Sequence, residues 1–139
     1  MFANLFSHKH NPEEREMNAS QAMAALMVRI AKSDDDYAIA ECERIDAILS
    51  VLYSLSAAEA SALRLQGETL EANAPDTVRF TRAIKEEVPY EERFDVVRAL
   101  WQVVLADGER DHEEDALMRL LASLLGVNDR DSAIARQQA

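Results

Sequence analysis

The sequence predicts an all-α fold, a single bundle-like helical domain of about seven helices with an internal two-fold repeat of helix–acidic loop–helix units. Apolar residues recur at i, i+3, i+4 and i+7 in successive segments, which is the spacing of one helix face. No segment alternates with period two for long enough to predict a strand. The three glycines and three prolines of the 139-residue chain are expected between the periodic segments, as turn residues.

End signals place the helices in order. Ser56 and Glu59 form a capping-box pair, Pro89 suits the first position of a helix, and Gly126 suits a helix terminator. The predicted helices are 17–32, 38–54, one capped by Ser56, one capped by Asp76, one beginning at Pro89, one capped by Asp111, and a short one from Asp129 that frays into 136–139. The side chains expected to face inward are Met23, Leu26, Met27, Ile30, Ile45, Ile48, Leu49, Leu52, Leu63, Leu70, Phe80, Ala83, Ile84, Val88, Phe94, Val97, Trp101, Val104, Leu117, Leu120, Leu121 and Leu124.

The pattern divides the chain into residues 1–16, an N-terminal segment that is predicted to be partly flexible, and residues 17–136, the helical domain. Met1–Phe6 is apolar and could contact a membrane or a partner, although a frayed terminus is the expected state. No run approaches the ~18 apolar residues of a membrane-spanning helix. Cys42 is the only cysteine, so no intramolecular disulfide can form, and we expect a cytoplasmic protein.

The charge balance argues against nucleic-acid binding. Lysine and arginine number 15 against 26 aspartates and glutamates, for a net charge of −11. Such a surface repels phosphates and favours cations or basic partners. Solubility alone is the commoner reason for this acidity.

The internal repeat becomes visible when the sequence is shifted against itself by 73 residues. Asp34 then aligns with Asp107, Glu41 with Glu114, and the cap Ser56 with Asp129. The aligned apolar pairs are Met27 and Leu100, Ile30 and Val103, Ala31 and Val104, Ile45 and Met118, Ile48 and Leu121, and Leu52 and Leu125. Because loop carboxylates and a following cap match at the same offset, we interpret the repeat as real.

The four aligned carboxylates, Asp34, Glu41, Asp107 and Glu114, are the candidate metal ligands. Ca²⁺ and Mg²⁺ prefer oxygen ligands, and packing of the two units about a pseudo-two-fold axis could bring both loops together. Converging carboxylates would repel one another unless a cation were bound. The structural alternative is that each acid caps a helix or turn, as Glu114 would in a capping box with Asp111. Individually, we favour the capping interpretation.

These loops resemble those of the tellurite-resistance TerB family, which carries an Ala-x-x-Asp-Gly loop followed by a glutamate, twice, in an all-helical domain. The second copy, 104–108 with Glu114, matches this pattern well; in the first copy Asp35 replaces the glycine. The resemblance covers roughly residues 17–136. It implies a role in tellurite resistance or a related stress response, and metal binding through these acids, without a defined reaction.

Other catalytic chemistry has little support. His8 and His10 could chelate a soft metal, and Cys42 could act as a thiol, but its acidic neighbours disfavour the thiolate. Glu86-Glu87 and Glu91-Glu92 are expected to face solvent.

The leading hypothesis is therefore a non-enzymatic, TerB-like cytoplasmic protein that binds a divalent cation and takes part in a stress response. The runner-up is a protein–protein interaction domain whose acidic loops are purely structural. An enzyme using Cys42 or a bound metal is the third hypothesis. We expect a protein partner, no nucleic acid, no catalytic residue, no cofactor besides the cation, and membrane association only peripherally through a partner.

Overall fold

A computed structural model of the chain describes residues 17–33, 37–74, 76–106 and 112–139, of which 112–114 are described by their backbone only. The described residues form seven α-helices and no strand, which confirms the all-α prediction. The helices are α1 (Ala19–Lys32), α2 (Ile39–Tyr53), α3 (Ala57–Ala72), α4 (Val78–Glu87), α5 (Arg93–Leu105), α6 (His112–Leu124) and α7 (Asp129–Gln138). A single 3₁₀ turn, Tyr90–Glu92, precedes α5.

Helix α1 lies at the centre of the fold and contacts α2, α3, α4 and α5. Its sequence is apolar on nearly every side, as expected for a helix surrounded by others. Its N-terminus is closed by a complete capping box, in which Asn18 Oδ1 accepts from the Gln21 N–H at 2.9 Å and the Asn18 N–H donates to Gln21 Oε1 at 3.0 Å. The buried residues of α1 are Ala19, Ala22, Met23, Ala24, Ala25, Leu26, Met27, Val28, Ile30 and Ala31.

Helices α1 and α3 approach each other closely at Gly67, which corrects the expectation that every glycine lies between helices. A Cβ on Gly67 would lie 2.7 Å from the carbonyl carbon of Ala24 and 2.8 Å from its Cβ. Gly67 is therefore a contact residue in the middle of α3. Gly126, by contrast, follows α6 with φ at 79°, so the prediction of a glycine terminator is confirmed.

The inward face of α6 agrees with the prediction only in part. Leu121 is buried as expected, but Leu120 is 48% exposed. The buried neighbours of Leu121 are Met118, Ala122 and Leu125. The leucines of α6 occur on several sides of the helix, so the i, i+3, i+4, i+7 pattern fits more than one face. In α2 the expected face is correct for Ile45, Ile48 and Leu49, whereas Leu52 is 37% exposed.

The helix starts are partly as predicted. The Ser56 capping box is confirmed, with the Glu59 N–H 3.1 Å from Ser56 Oγ. Helix α4 begins after Thr77, and Asp76 instead accepts from the Val78 N–H at 3.1 Å. Pro89 precedes the 3₁₀ turn rather than opening α5 directly. The predicted cap Asp111 lies outside the described residues.

The C-terminal helix is longer than expected. Asn128 caps it by accepting from the Asp131 N–H at 2.8 Å, and α7 continues to Gln138 instead of fraying from residue 136. Within the described residues, no helix by itself combines the length and apolar character that a bilayer crossing demands; α2 and α3 do so only as a pair, meeting at a bend of 112°. The internal repeat stays a prediction, because both acidic loops fall largely outside the described ranges, as does the N-terminal segment 1–16.

Candidate functional site

Of the four predicted metal ligands, only Glu41 has a described side chain. Asp34 and Asp107 lie outside the described residues, and Glu114, in the first turn of α6, is described by its backbone only. Nowhere in the described ranges do three or more histidine, cysteine, aspartate or glutamate side chains converge as a metal site requires. Convergence of the four carboxylates on one site therefore stays a prediction.

Glu41 occupies the first turn of α2, where the sequence placed it. Its Oε1 atom lies 3.5 Å from the Ala38 N–H, a long hydrogen bond. Ala38 is the helix cap but has no side-chain oxygen to return a bond, so only one half of the capping box exists. Glu41 is half-buried at the point where the first loop joins α2. Capping therefore accounts for this carboxylate less fully than it does for Glu59.

The residues before the first loop are fixed to α3 by ion pairs. Lys32 Nζ lies 2.9 Å from Glu71 Oε1, and Arg29 Nε lies 3.2 Å from Glu71 Oε2. Arg29 also donates to the Ala74 carbonyl at 2.6 Å, and its guanidinium stacks 5.5 Å from the ring centroid of Phe80. These contacts hold the last turn of α1 in place.

The residue after the first loop is fixed to the same helix. The Tyr37 hydroxyl donates to Glu68 Oε2 at 2.6 Å, and Arg64 Nη1 reaches the same oxygen at 2.6 Å. Arg64 Nε donates to Asp46 Oδ1 at 2.6 Å, which connects α3 to α2. We call Tyr37, Asp46, Arg64 and Glu68 the Arg64 network. Helix α3 thus holds both ends of the first acidic loop.

The protonation states in the Arg64 network follow from these contacts. Burial alone would lower the pKa of the Arg64 guanidinium, but hydrogen bonds to Asp46 and Tyr37 outweigh burial and raise that pKa above its ordinary value. Burial, together with the hydrogen bond to Glu68, raises the pKa of the Tyr37 phenol. Arg64 therefore remains charged and Tyr37 remains protonated at neutral pH.

Sequence reasoning missed this network. Arg64, Glu68 and Glu71 fall at i, i+4 and i+7, so a polar stripe on α3 was visible in the sequence. Its partners Tyr37 and Asp46 are distant in the chain, however, and only the tertiary fold shows that they meet. Cys42 is half-buried and contributes to raising the pKa of the Tyr37 phenol, which makes it part of the surroundings of this network.

Helix α5, which precedes the second loop in the chain, makes a different kind of contact. Trp101 in α5 is 8% exposed, as its assignment to the core predicted, and its Nε1 donates to Ser132 Oγ at 3.1 Å. The Arg136 guanidinium lies 5.2 Å from the Trp101 ring centroid. Both partners belong to α7, so aromatic packing joins α5 to α7. A depression of about 260 Å³ opens beside Trp101 and is also lined by Asp115 and Arg119 of α6.

The remaining candidates are surface residues or lie outside the described part. Glu86, Glu87, Glu91 and Glu92 are exposed, as predicted. His8 and His10 belong to the undescribed N-terminal segment. Among the described side chains, these observations leave two candidates: Glu41, in the first turn after the first acidic loop, and the Arg64 network, which holds Tyr37 at the end of that loop.

Fold and site together define a class: a small, acidic, all-helical domain with two helix–loop–helix segments whose loops are rich in aspartate and glutamate. The family model described as tellurite resistance protein TerB matches residues 20–137. The chain therefore belongs to the TerB family, and the resemblance inferred from the loops is confirmed. No curated protein and no solved structure matches the chain.

Proposed function

We propose that this TerB-family domain is a non-enzymatic cytoplasmic module that binds a divalent cation such as Ca²⁺ or Mg²⁺ through Asp34, Glu41, Asp107 and Glu114, and acts in tellurite resistance or a related stress response. Family membership supports the tellurite-related role at the level of the domain. The cation, the ligand set and the absence of catalysis are the proposal.

One observation supports cation binding above the others: the positive side chains flanking the first loop are already engaged. Arg29 and Lys32 pair with Glu71, and Arg64 pairs with Asp46 and Glu68. The chain nevertheless places three consecutive aspartates, 34–36, in that loop. With these three cations committed to other carboxylates, a divalent ion from solution is a suitable source of compensating charge.

The fixed ends of the loop favour binding as well. Lys32 on one side and Tyr37 on the other both bond to carboxylates of α3. Loop ends that are already held lose less conformational freedom when a ligand binds. A site built on such a loop needs only local ordering of the ligands themselves.

Calorimetric titration tests the proposal directly. Ca²⁺, Mg²⁺, Mn²⁺ and Zn²⁺ are titrated into the wild type, into Asp34→Asn with Glu41→Gln, and into Asp107→Asn with Glu114→Gln. The matched control is Glu86→Gln with Glu91→Gln, which removes the same charge from exposed positions. We expect both loop variants to weaken binding at least tenfold and the control to bind like the wild type. No heat with any of the four metals at millimolar concentration would refute cation binding.

A protein-interaction function is the second candidate, because an apolar groove of about 410 Å³ runs between α2 and α5. Ala47, Ile48 and Val51 line it from α2, and Val51 is 84% exposed. Given the net charge of −11, the occupant expected here is a basic amphipathic segment of a partner protein. Binding of a synthetic basic amphipathic peptide should be lost in Val51→Glu and kept in Leu65→Glu, which alters an exposed leucine of α3 outside the groove.

The two candidates can be separated. Neutralising Asp34, Glu41, Asp107 and Glu114 together should abolish the heat of cation binding. If the acidic loops are only structural, the same quadruple variant should still bind the peptide with wild-type affinity. Loss of peptide binding together with cation binding would instead indicate that the cation controls the groove.

A further inference from the structure

Two surface depressions of opposite character lie beside the start of α1. One includes Met17 and is otherwise lined mainly by charged side chains of α4 and the segment before it, among them Arg82 and Glu86. The other, of about 330 Å³, includes Ser20 from the first turn of α1. We call the second one the Tyr53 groove; its apolar wall consists of Tyr53, Leu55, Ala62 and Leu63.

The Tyr53 groove presents large apolar side chains that the core only partly covers. Tyr53, Leu55 and Leu63 are half-buried and pack on the core with one side. Their other side lines the groove, between the end of α2 and the first turns of α3. A groove of this composition favours an apolar occupant.

The segment that precedes α1 supplies such an occupant. Phe2, Leu5 and Phe6 give its first six residues a strongly apolar composition. From Phe6 to Met17 the chain has eleven steps, which extend to at most about 40 Å and span about 18 Å as a relaxed coil. Because Ser20 itself lines the groove, this tether easily reaches it.

We propose that the Tyr53 groove binds residues Met1–Phe6 of its own chain, with Phe2, Leu5 and Phe6 packed against Tyr53, Leu55 and Leu63. The charged depression beside Met17 is a poor alternative, because covering charged groups with apolar side chains removes their water without replacing it. A second copy or a separate partner is also disfavoured, since a short tether gives the attached segment an effective concentration in the millimolar range. The proposal is independent of cation binding.

Nuclear Overhauser effects between ring and methyl protons provide the test. In the full-length protein we expect cross-peaks from the Phe2 and Phe6 rings to the Leu55 and Leu63 methyl groups. Deleting residues 1–6 should shift the Leu55 and Leu63 methyl resonances. The methyls of Leu65, which is 52% exposed on the same helix but outside the groove, are the internal control and should stay unchanged.

A variant in which a charged side chain fills the Tyr53 groove completes the experiment. Ala62 is exposed and lines the groove, so Ala62→Glu should fold normally and abolish the cross-peaks, whereas Ala72→Glu at an exposed position of α3 outside the groove should keep them. Absent cross-peaks in the wild type, or cross-peaks that survive Ala62→Glu, would overturn the proposal. Cross-peaks that arise only between differently labelled copies would also overturn it, because the occupant would then be a second copy. Groove resonances that shift only on adding vesicles of phosphatidylcholine and phosphatidylglycerol would overturn it in favour of a lipid surface.

Discussion

The helices beside the two acidic loops are held by different forces. Around the first loop, α3 contributes Arg64, Glu68 and Glu71, which bond to residues on both sides of the loop. Around the second, α5 is joined to α7 by the indole of Trp101 and the guanidinium of Arg136. The predicted repeat aligns α1 and α2 with α5 and α6, yet the helices that follow them differ, because α3 has 16 residues and α7 has 10. Similar apolar faces therefore do not imply similar electrostatic surroundings.

This difference has a consequence for stability. The first region depends on partly buried ion pairs, and removing one charge leaves its partner unmatched. The second depends on packing around Trp101, on one neutral hydrogen bond and on the stacking of Arg136 over the indole. We therefore expect the first region to respond most strongly to removal of charge, and the second to loss of shape.

The largest effect is expected for Arg64→Met. The Arg64 side chain is 13% exposed, and its removal leaves Asp46 and Glu68 without the cation between them. Breaking a buried ion pair on one side costs about 3 kcal/mol in free energy of unfolding. Urea denaturation measures it, with Arg44→Met, at an exposed position of α2, as the control. A loss below about 1 kcal/mol would show that solvent already satisfies the two acids.

Trp101→Phe should cost about 2 kcal/mol, because it removes both indole volume and the hydrogen bond to Ser132. Ser132→Ala, which removes only the acceptor and leaves the indole in place, should cost less. If both variants lose the same stability, the hydrogen bond rather than the packing holds α5 to α7, and the contrast between the two regions weakens.

Gly67→Ala tests whether the close packing of α3 on α1 is needed for α3 to hold the first loop. Its new Cβ would lie 2.7 Å from the Ala24 backbone, so α3 must move away from α1. Overpacking costs about 1–3 kcal/mol and the higher helix propensity of alanine returns about 1 kcal/mol, for a net loss of up to about 2 kcal/mol. Thr69→Ala, at an exposed position one half-turn further, is expected to stay within about 0.5 kcal/mol of the wild type.

Gly67 also shows which features of the fold could not be predicted from the sequence. The seven helices and the Ser56 capping box were predictable, because helix periodicity and caps are local properties. The close approach at Gly67 was not, because glycine in a loop and glycine at a helix crossing look alike in a sequence. The predicted face of α6 was correct for Leu121 and in part for Leu117, but Leu120 was wrong for a related reason: the choice among these leucines depends on what packs against Leu121 and Leu125.

The candidate site divides in the same way. Glu41 could be placed in the first turn of α2, since its position relative to the helix start is local. The Arg64 network could not be derived, because Tyr37 and Glu68 are 31 residues apart and meet only in the folded chain. Convergence of the two acidic loops is a tertiary property of the same kind, and it stays a prediction because both loops fall largely outside the described residues.

Tyr37→Phe should have a smaller effect than the previous variants. It removes the hydroxyl that donates to Glu68, but Arg64 still bonds to the same carboxylate oxygen. We expect a loss of about 1 kcal/mol, typical of one hydrogen bond to a charged acceptor that keeps another partner. Urea denaturation beside Tyr90→Phe, at a 61% exposed position, provides the measurement and its control. Equal stability of the two variants would remove Tyr37 from the structural role assigned to it.

The smallest expected effect is on the free energy of unfolding at alkaline pH. Burial raises the pKa of Tyr53 to about 12, and burial with the bond to Glu68 raises the pKa of Tyr37, so both phenols keep their protons in the folded state after unfolded tyrosines have lost theirs near pH ~10. The folded state then binds more protons than the unfolded state, and stability must fall as pH rises above ~10. The contribution is fully present below that pH. Tyr37→Phe and Tyr53→Phe should each flatten the decline, whereas Tyr90→Phe should leave its slope unchanged; a slope identical in all three would mean that neither phenol is protected by the fold.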